Sequence, residues 1–74
     1  MKPGDMVRGR WVEGYIPMYE KIHGIYSAQF LSTEIGMVLD FGYSNTDVPY
    51  VHILTSSGKR GWVKYEQVRV IQIE

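Results

Sequence analysis

Tyr50-Val51-His52-Ile53-Leu54-Thr55-Ser56-Ser57-Gly58-Lys59-Arg60-Gly61-Trp62-Val63-Lys64-Tyr65-Glu66-Gln67-Val68 is the stretch whose reading decides the fold. Val51 and Ile53 fall on one side of an extended chain, and Tyr50, His52 and Leu54 on the other. Thr55 to Lys59 is a tight connection in which Gly58 supplies the positive φ. Arg60–Lys64 then returns antiparallel. Tyr65–Gln67 is too short for an α-helix and fits one 3-10 turn. Val68–Ile73 reads as the closing strand.

Upstream, Ile35–Phe41 is another strand, and Gly36 inside it predicts a bulge or sharp bend. Gly42–Val48 is a polar loop. At the start of the chain, Pro3-Gly4 suits the two central positions of a type II turn. Met6–Arg10 follows as a strand, with Val7 on one side and Arg8 and Arg10 on the other. Gly9–Glu34 is the long segment between these parts, and it carries Trp11, Tyr15, Tyr19, Tyr26 and Phe30 besides Met18, Ile22 and Ile25. The spacing of Met18, Ile22 and Ile25 allows one helical turn. Gly24 and its β-favouring neighbours argue against a longer helix, so an extended, curled hairpin is expected. A structureless loop of this length would count against the reading.

Strand, long loop, strand, loop, strand, tight turn, strand, 3-10 turn, strand: this order resembles the SH3-like barrel. Three anchors carry the resemblance: Lys2-Pro3-Gly4-Asp5-Met6-Val7, Ile35-Gly36-Met37-Val38-Leu39, and Gly58 to Val68. It implies an all-β fold, a single five-stranded SH3-like barrel over residues 1–74. A long first (RT-type) loop and a 3-10 turn before the last strand belong to that expectation. The chain is also similar in style to short SH3-like proteins of tailed bacteriophages. That likeness implies a virion component or a host-targeting accessory protein, in the host cytoplasm or the virion. In SH3 signalling domains a proline follows the segment that resembles Gly61-Trp62-Val63, and a tyrosine stands three residues later. Lys64 and Gln67 occupy those positions here, so binding of proline-rich motifs is not expected.

Composition narrows the function. Lys plus Arg is 8 and Asp plus Glu is 8, and there is no cysteine. The chain is the size of one domain, without disulfides or a Cys/His metal spacing. A dedicated nucleic-acid binder usually has a basic excess. No apolar run is long enough to span a bilayer, and the first residues lack the apolar core of a signal peptide, so a cytoplasmic protein is expected. His23 and His52 stand far apart, and no hydroxyl lies in a nucleophile setting. Catalysis and a cofactor are therefore not expected.

Two binding surfaces remain. Trp 2, Tyr 6 and Phe 2 make a ring-rich chain, and tyrosine and tryptophan suit interfaces. Trp11, Tyr15, Tyr19, Tyr26 and Trp62 are the candidates for contact with a protein partner or a second copy. Arg8, Arg10, Lys59 and Arg60, with Trp11 and Trp62 as stacking rings, are the candidates for a less favoured contact with nucleic acid. The expected function is non-enzymatic docking or structural assembly, with a nucleic-acid-binding barrel as its rival.

Overall fold

The computed structural model describes residues 1–10, 14–22, 24–31 and 33–71. Trp11, His23 and the expected continuation of the last strand past Ile71 lie outside them. The strands are β1 Met6–Gly9, β2 Tyr15–Tyr19, β3 Tyr26–Leu31, β4 Gly36–Tyr43, β5 Pro49–Thr55, β6 Arg60–Lys64 and β7 Val68–Ile71. They form one antiparallel sheet in the order β3-β2-β6-β5-β4-β1-β7. The 3-10 turn spans Tyr65–Gln67, as expected. Gly4 and Gly58 have the positive φ their turns require.

The all-β expectation holds, but the five-stranded barrel does not. The sheet has seven strands and is open, with β3 and β7 at its two edges. The two additional strands come from the long segment. β2 and β3 pair from Tyr15↔Leu31 to Tyr19↔Tyr26, with a register shift after Met18. Ile16, Met18 and Phe30 alternate inward, so this segment is bound into the core as sheet and is not a loop over one end. In place of a helical turn, the Glu20 N–H donates to Ile25 O at 3.1 Å and the Gly24 N–H to Lys21 O at 2.8 Å. The hairpin joins the remaining strands at one paired position, Tyr19↔Trp62. Pro17, which has no N–H to donate, sits in β2 next to that join.

Gly36 is not a bulge either. The irregular step in β4 lies between Val38 and Asp40. At Gly36 a Cβ would stand 3.1 Å from Ile53 Cδ1 and 3.5 Å from Phe30 Cζ, so the glycine makes room for core side chains. β4 also runs on to Tyr43, which shortens the polar loop to 44–48.

The core consists of Val7, Ile16, Met18, Phe30, Val38, Val51, Ile53, Val63 and Val68. Three of these come from the hairpin. Its close seat depends on Gly61, where a Cβ would lie 2.9 Å from Met18 Cβ and 3.2 Å from Tyr19 O.

Side chains bind the far end of the hairpin where the backbone ladder does not reach. Glu34, just past β3, is buried. Its Oε1 accepts from the Leu31 N–H at 3.1 Å and from Lys59 Nζ at 2.7 Å. Its Oε2 accepts from Ser57 Oγ. Lys59 Nζ also donates to the Gln29 carbonyl on β3. The Lys59 N–H in turn donates to Thr55 Oγ1 at 3.0 Å, which fixes the β5–β6 turn that carries the lysine. Burial by itself would raise the Glu34 pKa. The Lys59, Ser57 and Leu31 hydrogen bonds and the Lys59 charge outweigh it and hold the carboxyl at about 2, against 4.5 for an ordinary glutamate.

A carboxyl with a lowered folded pKa stabilises fully above its unfolded value, and that contribution fades as pH falls towards the folded one. Stability should therefore drop between pH 4.5 and about 2, by roughly 2–3 kcal/mol after allowance for the partly exposed lysine. Urea denaturation across this range measures it. Glu34→Gln should lower stability at pH 7 and flatten the acid limb. An unchanged limb in that variant would show that the carboxylate does not hold the hairpin.

Candidate docking surface

Each inward residue on the central strands leaves its neighbours facing outward. Val51, Ile53, Val63 and Met18 point to the core, so Tyr50, His52, Trp62 and Tyr19 point away. The pairing lines them up across the sheet: Asp40↔His52, His52↔Trp62, Trp62↔Tyr19 and Tyr19↔Tyr26. One row of side chains thus crosses β4, β5, β6, β2 and β3. Within it the His52 and Trp62 rings stack, with centroids 4.7 Å apart and planes at 11°. Cross-strand neighbours of this kind stabilise the sheet face they cover.

A groove of about 370 Å³ opens beside the row, between the end of β4, the start of β5 and the 3-10 turn. It is lined by Met1, Phe41, Gly42, Tyr43, Pro49, Tyr50 and Tyr65. A Cβ at Gly42 would meet the Trp62 ring at 3.3 Å, so the groove and the row share a boundary. Tyr43 is 69% exposed and Tyr65 40%.

The protein-contact residues expected from sequence are partly assembled here. Tyr19, Tyr26 and Trp62 share the row, with Tyr19 and Trp62 half-buried. Tyr15 is exposed but pairs with Leu31 at the opposite end of the hairpin. Trp11 is outside the described residues. The groove residues Phe41, Tyr43, Tyr50 and Tyr65 were not anticipated. Their only sequence signal is that they flank the polar loop and open the 3-10 turn.

The basic candidates do not form one patch. Arg8 and Arg10 are exposed beside β7, where Arg8 lies opposite Arg69. Arg60 is on β6, and β5 and β4 lie between β6 and β1. Lys59 is engaged by Glu34 and Gln29. Among the described residues, no three His, Asp or Glu side chains gather as metal ligands would, and no helix is long and apolar enough to cross a membrane. Comparison with protein-family models, curated proteins and solved structures finds no match.

The His52 pKa is lowered from 6.5, first by burial and then by the Arg60 charge, with Asp40 opposing. Neutral imidazole is thus favoured against Trp62, and stability from this site declines as pH falls below 6.5. NMR titration of the imidazole should show a raised pKa in Arg60→Gln and a further lowered one in Asp40→Asn. Identical values in both variants would contradict this electrostatic assignment.

Proposed function

We propose that this domain is a non-enzymatic docking module that presents its ring-bearing outer face to another protein. The observation that carries the reading is how few rings the core uses. Among the described residues, Phe30 is the only aromatic that is a buried member of the core, in a chain with two Trp, six Tyr and two Phe. Tyr15, Tyr26, Tyr43 and Tyr65 remain exposed. Tyr43 and Tyr65 line the concave groove, and exposed rings at such a groove are the composition of interface anchors. The strand order, with a long hairpin after β1 and a 3-10 turn before a last strand that pairs with β1, supports the SH3-like relationship as part of this proposal. A role in a phage particle or on a host protein is the form of docking that the likeness in style suggests.

The rival keeps one supporting feature. Arg60 and Lys64 flank Trp62 on the outward side of β6, which would suit a single strand of nucleic acid. The Trp62 ring, however, is already stacked on His52.

The triple variant Tyr26→Ala/Tyr43→Ala/Tyr65→Ala tests the docking reading. Exposed rings contribute little to folding, so its melting temperature should stay within about 5 °C of the parent. Proteins that the parent captures from an extract of its native cells should be lost. Unfolding of the variant, or unchanged capture, would overturn the reading. Binding to labelled oligonucleotides that weakens steeply with salt would favour the rival.

A further inference from the structure

The two edges of the open sheet differ. On β3 the Leu31 N–H donates to Glu34 Oε1, and the Gln29 carbonyl accepts from Lys59 Nζ. On β7 the Val68 carbonyl accepts from Arg10 Nε at 3.4 Å. The Arg10 N–H donates to Gln67 O at 2.9 Å, and these two residues continue the β1–β7 register by one step. Hydrogen-bonded and non-hydrogen-bonded pairs alternate along an antiparallel ladder. Arg8 and Arg69 are thus a bonded pair, whereas the N–H and C=O of Val70, opposite Val7, point away from β1 to the open edge. Val7 is fully buried, but Val70 on the same side of the sheet is 41% exposed, because no strand lies beyond it.

The side chains along this edge specify what would suit it. Arg8 and Arg69 stand directly opposite each other, and like charges so placed oppose the pairing. Among the described residues the ion pair is Glu34–Lys59, and neither arginine has a carboxylate partner. Ile71, two residues on, ends an outward row of half-buried apolar side chains: Leu54, Met37, Met6 and Ile71, paired across β5, β4, β1 and β7. We infer that the β7 edge takes up an extended segment of a partner protein as an added strand, with an acidic residue beside Arg69 and apolar residues beside Val70 and Ile71. This surface is separate from the ring-bearing one. Main-chain bonds to Val70 hold the segment, and the acid beside the arginine pair selects it. A second copy is the wrong occupant, since its β7 laid antiparallel would add another Arg8–Arg69 pair to the same outward face.

Random peptides displayed on yeast and selected with the full chain test the inference. Enriched peptides should carry an acidic residue next to two consecutive apolar ones. Their binding should survive Tyr26→Ala/Tyr43→Ala/Tyr65→Ala, which separates this edge from the ring-bearing surface. Bound peptide should slow hydrogen exchange at the Val70 amide. Changing the acid to its amide, or Arg8→Gln/Arg69→Gln in the domain, should weaken binding about fivefold. The arginine variant removes a repulsion, so it should melt no lower than the parent. Unchanged Val70 exchange, enriched peptides without the acid, a lower melting temperature or no enrichment would overturn the inference and leave the ring-bearing surface to its own test. Val70 protection that rises with the concentration of the parent chain alone would overturn it in favour of self-pairing. Oligonucleotide binding lost in the arginine variant would overturn it in favour of nucleic acid.

Discussion

The buried Glu34 carboxylate is the constraint on which the rest of the structure depends. It receives Lys59 Nζ, Ser57 Oγ and the Leu31 N–H, and so ties the end of β3 to the β5–β6 turn. An isolated two-stranded hairpin is marginal in water, and β2 reaches the main sheet through a single backbone pairing. Leaving one charge of such a buried pair unmatched costs more than the pair itself contributes. The carboxylate therefore acts less as a source of net stability than as a condition on where the hairpin can lie. Lys59 also reaches the Gln29 carbonyl, so part of the exposed edge of β3 is occupied. That is one way an open sheet limits pairing with other chains.

With the hairpin seated, the interior can be built from small aliphatic side chains. Ile16, Met18 and Phe30 complete a core that is otherwise mostly valine. Phe41 packs against this core from β4, and the other described rings fall on the outward face or at the strand ends, where β4, β5 and the 3-10 turn enclose the groove. The docking surface thus follows from the packing: rings the core cannot take line up where register and strand ends place them.

Much of the fold was legible in the sequence because its signals are local. Val51 and Ile53 alternate with Tyr50 and His52, Gly58 sits at the turn, and Tyr65–Gln67 is short and bracketed by strands. Each of these can be read within a few residues. The hairpin was harder. Its tyrosines, Ile22 and Ile25 fit an extended chain or a helical turn, and only pairing with β6 makes it part of the sheet. The salt bridge that holds it joins residues 25 apart, which no local pattern encodes. The same holds for Lys59, a candidate for nucleic-acid contact in the sequence, whose pairing with Glu34 is likewise long-range. The groove rings Tyr43, Tyr50 and Tyr65 are scattered along the chain and meet only where strand ends converge. The rings in the hairpin, by contrast, stood out because they are close together in sequence.

The central claim is that the ring-bearing segment of the isolated chain is folded sheet, pinned by Glu34, and not a loop awaiting a partner. Hydrogen exchange of the Met18, Ala28 and Phe30 amides at neutral pH tests this most directly. The account predicts protection comparable to that of Val51 and Ile53 in β5, and selective loss of it in Glu34→Gln. Free exchange of the hairpin amides in the parent chain, while β4 to β6 stay protected, would contradict it.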